Sequence, residues 1–221
     1  MTVADPTLET EAALHADGAR YVIGCDEVGR GAIAGPVAVG VCVVDAAVGA
    51  HPLGLRDSKM LSEKRREELA PLAAGWARYS AVGLATAGEV DEFGIMIALG
   101  LAGQRALAQI EEVLDYVHES VLLLDGSYNW LTPVAGPSLA VQTRVKADRD
   151  CASVAAASVV AKVHRDRMMI GYDAVHPGYG WSGNKGYGSA DHFAAIDALG
   201  PSALHRLTWL HDRTPVSPLA D

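Results

Sequence analysis

Asp26 and Glu27 stand side by side where an apolar run, Tyr21-Val22-Ile23, gives way to Gly29-Arg30-Gly31. Two adjacent carboxylates at such a break can hold a cation, and the small residues after them let a ligand approach the backbone closely. Taken alone, the pair is equally an ordinary polar turn beside glycines. Two further acids shift that balance. Val121-Leu122-Leu123-Leu124 runs into Asp125-Gly126, and an alternating segment from Leu139 to Lys146 runs toward Asp148. Three strand ends thus present four acids. Clustered carboxylates without neighbouring histidine or cysteine ligands suit hard, oxygen-seeking cations, so Mg2+ or Mn2+ is expected rather than zinc. Two such ions about 3.5–4 Å apart can activate a water and stabilise the leaving oxygen of an in-line displacement at phosphorus. Without metal, mutual repulsion should raise at least one of the carboxylate pKa values.

The elements that must position these acids can be read from periodicity. After the first apolar run, valines alternate through 36–44, and Tyr79 to Thr86 offers a third strand, so the chain opens as a meander. Ser62 and the Glu-Lys-Arg-rich run after it predict a capped helix over 62–72 that stops near Pro71. A longer helical pattern covers 88–118, weakened by Gly94, Gly100 and Gly103. Strands ending at Asp125 and near Lys146 follow, then a helix through 151–170 whose small residues allow close packing. This order predicts an α/β fold, a mixed β-sheet flanked by helices. The glycine-rich stretch 177–188 carries Tyr179, Trp181 and Tyr187, which favours a functional loop over a linker. Short helices are expected at 190–199 and 201–211 as a small C-terminal helical extension, with a frayed end over 214–221. The domain reading is an N-terminal segment 1–20, a catalytic core 21–170, a substrate-contacting loop with C-terminal helices over 171–213, and the tail.

A chain of 221 residues, half of them hydrophobic, can bury one full core. The acidic N-terminal stretch does not resemble a signal peptide, and no uninterrupted run of about 18 apolar residues suggests a membrane span, so a cytoplasmic protein is expected. The net charge of −9 argues against a nucleic-acid partner, but its distribution does not. Five of the 18 Lys and Arg residues lie in 56–66 and six in 144–167, leaving room for a local basic face. Glu63, Glu67 and Glu68 interleave with the first group, which fits a solvated helix face as well. Cys25, Cys42 and Cys151 form no Cys-x-x-Cys pair and read as reduced core residues. Asp26 beside Cys25 opposes thiolate formation and so a nucleophilic role.

Several segments together resemble one family. Cys25-Asp26-Glu27-Val28-Gly29-Arg30-Gly31, Asp57-Ser58-Lys59-Met60-Leu61, Asp125-Gly126, Val145-Lys146-Ala147-Asp148, the run from Ala155 to Asp166, and Asn184-Lys185-Gly186-Tyr187-Gly188-Ser189 look like the successive signatures of ribonuclease HII, the type 2 ribonuclease H. The likeness spans residues 21 to about 206. It implies a ribonuclease H-like fold and hydrolysis of RNA strands paired with DNA, including single ribonucleotides embedded in duplex DNA. The family's acidic quartet carries over to Asp26, Glu27, Asp125 and Asp148, its Gly-Arg-Gly loop to Gly29, Arg30 and Gly31, and its substrate-sensing tyrosine to Tyr187. Asn184 stands where the family often has His, and Ser189 where Thr is common.

On that resemblance, metal-bound water attacks the phosphorus 5′ to a ribonucleotide, leaving 3′-hydroxyl and 5′-phosphate ends. The 2′-hydroxyl alone separates a ribonucleotide from its deoxy counterpart at the same base, and a glycine loop can approach it unobstructed. Arg30 reads either as part of that loop or as an ion-pair partner of a nearby acid. Lys59 and Lys146 are candidate phosphate contacts or merely solvated lysines, and Ser58 is a candidate beside Lys59. Asp150, two residues from Asp148, is the competing fourth acid. The end of the chain after His205-Arg206 shows no clear sliding-clamp motif, so nucleic acid is the expected partner of a monomer, with no protein partner evident. The alternatives are another nuclease or recombinase of the same fold, a hydrolase using Asp125 as a covalent phosphate acceptor, and a non-catalytic hybrid-binding module. A phosphate-loop reading of the glycines lacks the necessary spacing.

Overall fold

The computed structural model describes residues 5–114 and 119–210. Five strands form one mixed sheet: β1 Tyr21–Val28, β2 Val37–Asp45, β3 Tyr79–Ala85, β4 Ser120–Asp125 and β5 Ala140–Arg144, in the order β3-β2-β1-β4-β5. The first three are an antiparallel meander, and β4 and β5 run parallel to β1. Strand β1 does not stop at its acids. Its ladder with β2 continues through Asp26 opposite Gly40, Glu27 opposite Val39 and Val28 opposite Ala38. Backbone pairing, rather than loss of hydrophobicity, sets where this strand ends.

Helices cover both faces. On one side lie α3 Ala87–Phe93, α4 Ile95–Glu111 and the single turn α5 Thr132–Ala135; on the other lie α2 Glu63–Trp76, the single turn α6 Ala147–Asp150 and α7 Ala152–Val175. Tyr21, Ile23 and Cys25 face the α4 layer, while Val22 packs with Cys151 and Val154, as the two-residue period of a strand requires. Small residues decide how near α7 comes. A Cβ on Gly24 would stand 2.2 Å from the Ser153 carbonyl carbon, and one on Gly40 would stand 2.5 Å from the Ala157 oxygen. The Ser153–Ala157 stretch of α7 therefore rests directly on β1 and β2.

Several expected boundaries move. Helix α2 begins at its Ser62 cap as expected but continues past Pro71 to Trp76. The N–H that Pro71 lacks is outweighed by burial of Leu69, Ala70 and Ala73 against α7. The long helix over 88–118 is two, broken at Gly94 with φ +78°; residues 115–118 lie outside those described. After a single turn, α8 Trp181–Asn184, helix α9 spans Ala190–Leu199, as expected. The helix expected at 201–211 is replaced, among the described residues, by a 3-10 turn at Leu207–Trp209. The backbone just before it is already committed: the Gly35 N–H donates to the Leu204 oxygen at 2.8 Å and the Arg206 N–H to the Ile33 oxygen at 2.8 Å. Expectations for the tail at 214–221 fall outside the described residues.

The segment before β1 contains α1 Glu9–Ala16 and is joined to the core. The buried Glu11 carboxylate accepts from the Ser153 N–H (2.8 Å) and hydroxyl (2.7 Å), capping the first turn of α7. Helix α7 itself crosses the boundary placed at 170. No helix among the described residues is long and apolar enough to cross a membrane. Gly24→Ala should lower the melting temperature, since overpacking of this kind costs about 1–3 kcal/mol and each kcal/mol is worth about 2–4 °C in a chain of this size. Gly75→Ala, exposed within α2 with open space at the Cβ position, should instead gain about 0.5–1 kcal/mol. Thermal unfolding of both checks the packing; a Gly24→Ala protein as stable as wild type would contradict it.

Candidate active site

Because β1 and β4 run parallel, with Cys25 opposite Leu124, the next residues along each strand are Asp26 and Asp125. Asp26 points to the α7 face, where the Ser158 side chain hydrogen-bonds it, and its Oδ1 also accepts the Glu27 N–H at 2.8 Å. Glu27 points the other way and accepts from Arg30 at 3.3 Å. Asp148 is not at a strand end. Beyond β5, Lys146 takes a left-handed conformation, φ +64°, which turns the chain into α6 and carries Asp148 back over β4. There the Asp148 N–H donates to Asp125 Oδ1 at 3.3 Å. Asp150, the competing acid, turns outward and pairs with Arg144 at 3.4 Å. Gly126 follows Asp125 with φ +98°, a conformation that glycine adopts without strain.

The electrostatics are those of crowded like charges. Burial first, and then the Glu27 charge, push the Asp26 carboxyl well above its ordinary range. Burial also raises Glu27, against the opposing pull of Arg30. Asp148 is raised by burial, then by Asp125 and Asp57. Lys59 is the compensating cation: burial of its stem opposes the charge, but Asp26, Asp57 and Asp148 outweigh this and hold it protonated. Its Nζ lies 3.4 Å from Asp148 Oδ2, although the side chain is 68% exposed. Cys25 belongs to the core, its thiol pushed far up by burial and by Asp26, so it is no nucleophile.

An all-oxygen donor set in which burial and like charge raise Asp26, Glu27 and Asp148 fits a hard divalent cation, whose charge would relieve the repulsion. Among the described residues, no three acidic, histidine or cysteine side chains yet stand at ion-coordinating spacing. Glu27 is drawn to Arg30 and Asp148 to Lys59. Holding one ion in common would require these side chains to rotate away from Arg30 and Lys59.

Beside the acids lies a second surface, tied down by hydrogen bonds. Two fully buried arginines, Arg165 and Arg206, form no ion pair among the described residues; instead they donate to backbone oxygens. Arg206 holds the Arg30 oxygen at 2.8 Å and the Gly29 oxygen at 2.7 Å. Arg165 holds Pro36, Lys185 and Ala34 oxygens at 2.8–3.0 Å. Gly29, at φ +79°, passes so near Arg165 that a Cβ there would lie 2.1 Å from Nε. The Gly186 oxygen accepts from the Ile33 and Ala34 N–H groups, which stitches the 184–188 loop to the Gly-Arg-Gly loop. Tyr187 is 38% exposed, with the Arg165 guanidinium 5.6 Å from its ring centroid.

Of the sequence-read candidates, Asp26, Glu27, Asp125, Asp148 and Lys59 thus share one electrostatic cluster, and Arg30 and Tyr187 line the adjoining surface, with Gly29 buried beneath it against Arg165. Ser58 is buried, its hydroxyl 2.9 Å from that of Ser158, so it is placed behind Asp26 rather than beside Lys59 at the surface. Lys146 determines the turn before Asp148. Gly31 has open space around it. The basic windows are largely engaged with the chain's own acids: Arg56 with Asp5, Arg65 with Glu68, Arg167 with Glu67 and Lys162 with Asp166. Sequence reasoning missed Ser158, Arg165, Arg206 and the charge of Asp57. Burial made them important, and only contacts across the fold reveal it.

Fold and site define a ribonuclease H-like hydrolase. Residues 23–211 match the family model of ribonuclease HII. A curated ribonuclease HII from Syntrophotalea carbinolica is 47% identical over 199 residues, covering 90% of each chain. Among solved structures, the PCNA:RNase HII complex from Archaeoglobus fulgidus is similar at 26% identity and a TM-score of 0.64, covering 86% of this chain and 93% of that one. A crystal structure of Bst-RNase HIII in complex with Mn2+ has the same fold, at 22% identity and a TM-score of 0.66, covering 89% and 69%. The chain belongs to the ribonuclease HII family, nucleases that cleave the RNA strand of RNA-DNA hybrids.

The raised pKa of Asp26 has a thermodynamic sign. The folded state binds the proton more tightly than the unfolded chain, so stability is lost as pH rises from the ordinary value of 3.8 through the raised folded value. Asp26→Asn should therefore melt higher than wild type in chelator at pH 7–8, by at least about 2 °C for about 1 kcal/mol. The advantage should vanish as the pH approaches 4. A variant less stable than wild type at neutral pH would contradict the electrostatic account.

Proposed function

We propose that this chain, acting as a monomer in the cytoplasm, cuts duplex DNA on the 5′ side of single embedded ribonucleotides as well as within RNA-DNA hybrids. The observation that carries this reading is the stitched pair of loops: a fixed backbone at Gly29–Gly31 beside the half-exposed Tyr187 ring. The 2′-hydroxyl is both donor and acceptor, and a rigid backbone surface can read it without requiring a long hybrid. Tyr187 stacks on the neighbouring sugar, and Arg206 and Arg165 keep both surfaces in place before substrate arrives.

The acids Asp26, Glu27, Asp125 and Asp148 would hold Mg2+ or Mn2+. A divalent ion bound there supplies charge to the phosphoryl oxygens and acidifies the attacking water. The manganese complex of the Bst-RNase HIII neighbour supports the choice of ion. Lys59, exposed and held protonated by three aspartates, is placed to move from Asp148 to a phosphate oxygen once cations enter. Arg30 can exchange Glu27 for the nucleic-acid backbone in the same way, with the exposed Lys146 as a lesser contributor from its turn, while the buried Ser58 supports the site from behind Asp26. Water adds to phosphorus, the bond to the upstream 3′ oxygen breaks, and that oxygen takes a proton. The products are a 3′-hydroxyl and a 5′-phosphate on the ribonucleotide, with no covalent enzyme intermediate.

A labelled DNA duplex with one ribonucleotide, incubated with Mg2+ or Mn2+, tests this reading. Asp26→Asn and Asp125→Asn should each lose at least about 100-fold in kcat, beyond the 10–100-fold typical of residues outside the metal's own ligands. Tyr187→Ala should lose more cleavage at the lone ribonucleotide than duplex binding. Cyclic phosphate ends, or equal loss of cleavage and binding in Tyr187→Ala, would contradict the assignment.

A further inference from the structure

Behind Tyr187 lies a buried polar cluster that the chemistry above does not use. His192, His205 and Trp181 are 0–1% exposed. The Trp181 indole N–H donates to His192 Nε2 at 2.9 Å. An indole nitrogen can only donate, so that ring nitrogen is an acceptor and the His192 proton is on Nδ1. Nδ1 faces the Tyr187 carbonyl oxygen at 2.9 Å. His205 is fixed in the opposite sense. Its Nδ1 accepts the Ser202 backbone N–H at 2.9 Å, so its proton is on Nε2, which lies 3.2 Å from His192 Nε2. Both donors converge on the same His192 lone pair. The Tyr187 N–H is held independently by the Asn184 oxygen at 2.9 Å.

We propose that His192 is a positioning residue for Tyr187: its Nδ1–H holds the Tyr187 carbonyl, and Trp181, with His205 set by Ser202, locks the tautomer that makes this bond. The proposal rests on the reading that Tyr187 touches substrate. Two further observations support it. Burial lowers His192, and burial followed by the His192 neighbour lowers His205 to about 4, so both rings stay neutral. His192 also lies in the first turn of α9, with its N–H donating to Ser189 Oγ, which fixes the backbone from which the ring reaches back. The carbonyl anchor and the Arg165 guanidinium near the ring together restrict where the Tyr187 side chain can point.

The test is steady-state cleavage of a duplex carrying one ribonucleotide, in Mg2+, by Tyr187→Ala, His192→Asn, His192→Gln and the double variant His192→Gln/Tyr187→Ala. Asn places its amide nitrogen near the Nδ1 position, whereas Gln places it near Nε2. His192→Asn should retain kcat within about threefold, and His192→Gln should lose about tenfold, or about 1.4 kcal/mol, with KM nearly unchanged. The His192→Gln loss should disappear in the Tyr187→Ala background, because the side chain being positioned is gone. Equal activity of the Asn and Gln variants, or a Gln loss that persists on top of Tyr187→Ala, would overturn the proposal. Tyr187→Ala cutting like wild type would instead sink the reading that Tyr187 touches substrate, and the proposal with it. Should His192→Gln fail to fold, the double variant Trp181→Phe/His205→Asn withdraws both donors from His192 Nε2; lower kcat at constant KM supports the relay, and unchanged kcat overturns it.

Discussion

Like charges that the fold will not let separate organise this molecule. Parallel pairing of β1 with β4 sets Asp26 and Asp125 one step beyond paired residues, and the left-handed turn at Lys146 returns Asp148 to the same place. The ladder to β2 extends past Asp26, so the strand cannot fray to relieve the repulsion. Strain of this sort persists only when its surroundings over-determine it. Here that support comes from a sheet held on both faces, the Glu11 cap on α7, and two cations, Lys59 and Arg30, that partly neutralise the acids.

The same scaffold prepares the neighbouring surface. Glycines at 24 and 40 let α7 rest on the strands, and that approach sets the depth from which Ser158 reaches Asp26 and Arg165 reaches the loop behind Gly29. Arg165 and Arg206 satisfy backbone oxygens rather than carboxylates, so their positive charge remains close to the surface where a polyanion would lie. This helps reconcile a chain of net charge −9 with a nucleic-acid substrate. The positive field is local and partly buried, and most surface arginines are paired with the protein's own acids.

Much of this was legible from the sequence. The meander, strand β4 ending at Asp125 and helix α9 follow from local period and capping, and the family signatures are contiguous motifs. Other features were not legible because they depend on partners distant in sequence. Strand β1 runs through its acids because β2 pairs with them. Helix α2 passes Pro71 because α7 covers its apolar face. The 201–211 segment gives up helix because its backbone bonds to residues 33–35. Arg165 read as one of six basic residues in a window, and nothing in that window distinguishes a guanidinium turned inward from one in solvent. Asp148 was legible as an acid near a strand end, whereas its route back over β4 depended on a single positive φ at Lys146.

The divalent-ion site proposed above would join carboxylates that Lys59 and Arg30 hold apart in the metal-free protein. Thermal unfolding of the wild-type chain, titrated with Mn2+ without substrate and repeated from pH 5 to 8, tests it most directly. Binding to the folded state alone adds about 2.7 kcal/mol at 100 times Kd, so the melting temperature should climb with Mn2+ and the affinity should strengthen as pH rises and the carboxylates ionise. A melting temperature indifferent to Mn2+ at neutral pH, in a protein that folds normally, would contradict it.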